Sequence, residues 1–257
     1  MTTIALHSDL HLELQMRPDG WLLDKPDILV LAGDIISIEV AKNFLVYLAE
    51  LLPSSHIIFV AGNHEYYGVK DILQEEQSLR KSLEEFSNIH FLQCDLIEIA
   101  GIRFVGCTGW SQMLCLGKEK QSDVIGLVRS SINDFYKIGY RGECFTPQNC
   151  FDLGQKQHQW LNRVLYQSSP CVKTVVITHF APSLKVANPK YPIDELSAYF
   201  HAGFDSLIER HKPDYWMYGH NHFNQDLMLH STRVISNQRG YGRECENSYK
   251  PNLLLSF

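Results

Sequence analysis

One phrase recurs along this chain and limits what it can fold into. A short apolar run rich in β-branched residues stops at a glycine or polar residue and delivers Asp, Asn or His. It occurs as "TIALH" (3–7) before "SDLH" (8–11), "DILVLAG" (27–33) before Asp34, and "HIIFVAG" (56–62) before "NHE" (63–65). It returns as "TVVITH" (174–179) and as "DYWMYG" (214–219) before "HNH" (220–222). Runs of this length and composition are strands. Between them, 38–52, 70–86, 154–168 and 204–211 carry apolar residues at three- and four-residue spacing, the period of a helix packed on one face. Pro53 and Pro213 close two of these helices. Further strands are expected at 102–107, in "DLMLH" and "TRVIS" as a hairpin around Ser231, and in "NLLLSF" at the end. Strands alternating with helices specify an α/β fold with largely buried sheets.

The segment 108–151 has the weakest periodicity and reads as a partly helical excursion that covers a site. With no internal repeat, low-complexity tract or Gly/Ser linker, residues 1–257 are expected to form a single domain. Its hydrophobic content of 45% is enough for a substantial core. The net charge of -6 opposes binding to a long polyanion such as duplex nucleic acid. Seven cysteines, odd in number and without a CxxC, read as reduced, mostly buried thiols. The N-terminus lacks a basic, apolar leader and no run is long enough to span a membrane, so a soluble cytoplasmic protein is expected.

In sheets of this kind ligands bind beyond the carboxyl ends of the strands. Those ends bring Asp9, His11, Asp34, Asn63, His179, His220 and His222, with Gly33, Gly62 and Gly219 leaving room for a ligand. Any one of these motifs alone is compatible with a cap or a polar turn. Seven mixed N and O donors without sulfur suit divalent Mn, Fe, Co, Ni, Zn or Mg. They are too many for one tetrahedral ion and about right for two ions sharing a carboxylate.

The series "DLH … GD … GNHE … TH … GHNH" resembles the calcineurin-like metallophosphoesterase superfamily, and its motifs span residues 9 to 222. The "GNHEYYG" form, with "INDF" (132–135) and "SNQRGYG" (236–242), looks like a bacterial branch of small, poorly defined phosphoesterases. The resemblance implies two packed mixed β-sheets flanked by helices, with a dinuclear metal centre at one edge. By position, it implies that Asp9, His11 and His222 hold one metal, Asn63, His179 and His220 the other, and that Asp34 bridges them. His64 then protonates the leaving oxygen, with Glu65 as its orienting carboxylate or, as the alternative, a surface residue. Gln238 stands where related sequences often have proline, which is expected to loosen that loop. Arg239, just past a strand end, is a candidate phosphate contact, with a structural ion pair as the alternative. Tyr66 and Tyr67 are candidate pocket walls, with core positions as the alternative.

Two cations roughly 3.5–4 Å apart would acidify a bridging water and clamp a phosphate. An acid opposite the nucleophile completes the set, and histidine titrates in the right range. The expected activity is hydrolysis of a small phosphomonoester or phosphodiester. A catalytically silent scaffold of the same fold, or a metal sensor, is the competing reading; the complete donor set with His64 argues against both.

Overall fold

The computed structural model describes residues 1–257 except Leu23 and Asn247. In chain order the strands are β1 (Thr3–His7), β2 (Ile28–Ala32), β3 (His56–Val60), β4 (Ile89–Phe91), β5 (Asp95–Ile99), β6 (Ile102–Cys107), β7 (Gly139–Tyr140), β8 (Glu143–Cys144), β9 (Lys173–Thr178), β10 (Tyr215–Tyr218), β11 (Asp226–Leu229), β12 (Thr232–Ser236) and β13 (Leu254–Ser256). The helices are α1 (Ile38–Leu51), α2 (Ile72–Leu83), α3 (Gln121–Ser131), α4 (Asp134–Lys137), α5 (Pro147–Tyr166), α6 (Ser197–Phe200) and α7 (Asp205–His211).

Two large mixed sheets stack with helices on their outer faces. The first has the order β13-β1-β2-β3-β4 and the second β11-β12-β10-β9-β6-β5. β1 to β4 run parallel, and so do β12, β10, β9 and β6; antiparallel β13, β11 and β5 close the edges. The parallel strands are buried on both faces, so they read as continuous apolar runs rather than alternating ones. Alternate residues still sort by face: Ile28, Val30, Ile58 and Val60 meet Phe104, Val175, Ile177 and Met217 between the sheets. Their neighbours Leu29, Leu31, Ile57 and Phe59 belong to the layer under the helices, with Leu45, Leu48 and Leu79. Each fully buried side chain of this size contributes about 1.5–3 kcal/mol of transfer free energy.

The helix and strand expectations hold in place, with shifts of a few residues at the ends, and the hairpin turns at His230 and Ser231 between β11 and β12. Four strands, β4, β5 and the two-residue β7 and β8, lie outside the expected set. The excursion 108–151 contains α3, α4, the small β7–β8 pair and the first turn of α5. That helix begins at Pro147 rather than 154, because Thr146 caps it reciprocally with Asn149. All seven cysteines are free, but only Cys107, Cys150 and Cys245 are buried, fewer than expected; Cys94 and Cys144 are exposed. Among the described residues no helix is long and apolar enough to cross a membrane.

Candidate metal centre

Because β1, β2, β3, β9 and β10 all belong to the parallel parts of their sheets, their carboxyl ends open onto the same edge. The turns leaving them are tight. Asp9, His11, Asp34, His220 and His222 all have positive φ, between 46° and 77°. Left-handed backbone is uncommon for non-glycine residues and costs about 1–2 kcal/mol each. Such strain persists only where the surroundings fix it, and it gathers at functional sites. The glycines were expected to leave room for a ligand; they first leave room for other donors. A Cβ on Gly33 would lie 2.5 Å from His179 Nδ1, and one on Gly219 would lie 2.5 Å from Asp9 Oδ2.

Three clusters result, Asp9/His11/His222, His11/Asp34/His64 and Asp34/His179/His220, each with donor atoms within 4.8 Å of one another. His11 Nε2 lies 3.2 Å from His222 Nε2, and His222 Nε2 lies 3.3 Å from Asp9 Oδ1. His179 Nε2 lies 3.3 Å from Asp34 Oδ2 and 3.1 Å from Asn63 Oδ1. Asp34 sits between the groups, 3.9 Å from His11 Nε2. The rings are aimed by what holds their far nitrogens. His179 Nδ1 lies 3.0 Å from Ala32 O, His11 Nδ1 3.2 Å from Glu13 Oε1, and His222 Nδ1 2.5 Å from Glu244 Oε2. Anchoring of this kind fixes the tautomer and turns Nε2 to the centre.

These residues fit divalent-cation binding. The ring of His220 packs against Phe180, and its buried Nε2 has no hydrogen-bond partner. A buried ring nitrogen left unpaired is costly unless a ligand meets it. The field points the same way. Burial works against charge on His179 and His222, yet Asp34 beside the first and Asp9 beside the second raise them to about 9 and about 10. Asp9 and Asp34 are held below the ordinary carboxylate range despite burial, by the same histidines. Two buried carboxylates therefore draw positive charge into this pocket.

His64 stands beside the clusters. Its Nδ1 is 3.2 Å from Glu13 Oε1 and its Nε2 is 2.7 Å from the Tyr241 hydroxyl. Burial lowers its pKa, but Asp34 and Glu13 outweigh that and leave it raised.

Four expectations are corrected here. Glu65 does not orient His64. It is fully buried and accepts from the backbone N–H groups of Asp34 (2.8 Å), Ile35 (2.7 Å), Ile36 (3.2 Å) and Gly62 (2.6 Å). Four donors favour the carboxylate form, against burial and Asp34, which push it up to about 8. Of the two tyrosine candidates, Tyr66 is core, its hydroxyl donating to Glu76 at 2.7 Å, whereas Tyr67 lines the cavity as expected. Arg239 is outside the cavity lining and its guanidinium donates to the Met16 carbonyl. Gln238 ties its loop rather than loosening it. Its backbone N–H, which proline lacks, donates to Asn224 Oδ1 at 2.5 Å, and its side chain donates to Asn221 Oδ1 at 2.8 Å.

Above the clusters lies a cavity of about 630 Å³. Its wall is built from Ser131–Asp134 of the excursion, from the loop around Lys190, Tyr191 and Ile193, and from Tyr241. The sequence reading missed Glu13, Glu244, Asp134 and Tyr241. Only "INDF" and "RGYG" had signalled that two of these segments are special.

A family model described as calcineurin-like phosphoesterase matches residues 2–224. An uncharacterized protein, L509, of Acanthamoeba polyphaga mimivirus is 28% identical over 98% of this chain and 95% of its own length. Among solved structures, phosphopantetheinyl hydrolase from Mycobacterium tuberculosis superposes with a TM-score of 0.73 at 18% identity, covering 98% of this chain and 94% of that one. A dimetal phosphatase from Danio rerio superposes with a TM-score of 0.54 at 15% identity, covering 91% and 86%.

Proposed function

The chain belongs to the calcineurin-like phosphoesterase family, and from that premise we propose that it hydrolyses a small phosphoester with two divalent ions as cofactors. One observation carries the reading: seven N and O donors from five strand ends converge under a cavity, one of them a buried imidazole nitrogen with no partner. Asp9, His11 and His222 would hold one ion, Asn63, His179 and His220 the other, and Asp34 would lie between them. When bound, such ions neutralise phosphate charge and make a nucleophile available at neutral pH.

The chain's own groups do the rest. His64, whose pKa Asp34 and Glu13 raise against the effect of burial, is placed to carry a proton for the leaving oxygen, and Glu13 fixes its ring. Tyr241 stacks on His11 with ring centroids 4.3 Å apart and limits water at that face. The cavity volume suits a small organic phosphate rather than a duplex. Manganese is the first ion to test, since histidine and carboxylate donors accept it readily. The free cysteines fit a reducing cytoplasm.

The test uses metal-stripped protein reloaded with Mn²⁺ and assayed on p-nitrophenyl phosphate, bis-p-nitrophenyl phosphate and a phosphopantetheinyl ester. Metal-dependent turnover is expected, and its ratios pick the substrate class. His64→Ala should bind Mn²⁺ as before yet lose about 10²- to 10⁴-fold in turnover, most with poor leaving groups. A protein that takes up no Mn²⁺, or a His64→Ala variant with full turnover on such substrates, would overturn the assignment.

A further inference from the structure

Asp134 opens α4 in the "INDF" stretch and is 1% exposed. No Lys or Arg pairs with it among the described residues. Its carboxylate instead collects three neutral donors. Asn63 Nδ2 donates to Oδ1 at 3.0 Å, the Tyr67 hydroxyl donates to Oδ1 at 2.7 Å, and the Tyr199 hydroxyl donates to Oδ2. Those partners come from the turn after β3 and from α6, so one side chain of the excursion ties two other segments together at the cavity wall.

The contact with Asn63 has a chemical consequence. A carboxamide is nearly symmetric in shape but not in chemistry: one end only donates, the other only accepts. Asn63 presents Oδ1 toward His179 Nε2, at 3.1 Å, which is the end a cation requires. Flipping it would set its oxygen against the Asp134 oxygen in a buried site and turn its N–H groups toward the cation.

We infer that Asp134 is a positioning residue that locks the Asn63 amide with its oxygen facing the His179/His220 half of the centre. This rests on the dinuclear reading proposed above. Asp134 touches neither substrate nor ion; it acts through Asn63. Outer partners that orient a metal-binding side chain typically change affinity by about 10- to 100-fold.

The decisive variants are Asp134→Asn and the reciprocal swap Asp134→Asn with Asn63→Asp. In Asp134→Asn, the new amide accepts Asn63 in either orientation, so the lock is gone while the volume is kept. In the swap, a carboxylate at 63 offers an oxygen whichever way it turns, and the amide at 134 donates to the other one. Metal-stripped full-length protein is titrated with Mn²⁺ by calorimetry. Wild type is expected to bind two ions. Asp134→Asn should keep one at wild-type affinity and bind the second about 10- to 100-fold more weakly. The swap should restore the second ion. An Asp134→Asn protein that binds both ions like wild type overturns the inference. So does a folded swap protein that still takes only one, because the carboxylate at 134 would then serve the structure in general. If Asp134→Asn does not fold, the swap decides alone. A wild type that fails to take two ions sinks the dinuclear reading, and this shows before any variant is compared.

Discussion

Asp9, His11, Asp34, His220 and His222 occupy left-handed backbone that a β-branched residue would tolerate poorly. Glu65 supplies part of what holds this shape, since it binds the N–H groups of Asp34, Ile35, Ile36 and Gly62 at once. Glu65→Gln preserves the volume but turns one acceptor into a donor that faces backbone donors. It should cost about 1–3 kcal/mol and weaken Mn²⁺ binding, read from urea denaturation of the metal-free protein and from calorimetry. Unchanged values for both would mean that the loops hold themselves. The His and Asp donors were legible in the sequence because their chemistry resides in residue type and in a position just after a strand. Their partners were not. Glu65 is adjacent to His64 in the chain yet faces the other way, whereas Glu13, 51 residues distant, is the carboxylate His64 meets.

At the scale of elements, the parallel strands and long helices were legible because burial imprints continuous apolar runs and a 3.6-residue period. β4 has three residues and β5 mixes exposed and half-buried positions, so neither left a clear pattern. The start of α5 did leave a signal in "TPQN": a threonine cap, proline at the first helical position, and asparagine reaching back. Thr146→Ala removes that reciprocal pair and should cost about 1 kcal/mol, seen as a lower urea midpoint. A midpoint equal to wild type would show that α5 is held by packing alone. The same helix matters beyond its own stability, since Gln157 Oε1 accepts from the backbone N–H of Trp110 at 2.9 Å and so anchors the start of the excursion.

For the molecule as a whole, both sheets send their parallel strands toward one edge, and that edge concentrates buried carboxylates with strained turns. Ions that bind only the folded chain add stability by mass action. At 100 times its Kd, one ion contributes about 2.7 kcal/mol, and each kcal/mol shifts Tm by about 2–4 °C in a chain near this size. Stripped protein should therefore melt several degrees below protein saturated with Mn²⁺ in a thermal scan. Coincident melting curves would mean that the centre is not coupled to folding.

β1 is flanked by β2 on one side and by β13 on the other. During translation, Asp9 and His11 leave the ribosome more than 200 residues ahead of His222, with β13 later still. At roughly 5–20 residues per second that interval is about 10–40 s. Throughout it the nascent chain carries isolated donors and a strand with one edge unpaired. On the proposed function, metal binding that needs both His11 and His222 thus waits until both have emerged, and the sheet holding β1 is completed only when β13 pairs with it.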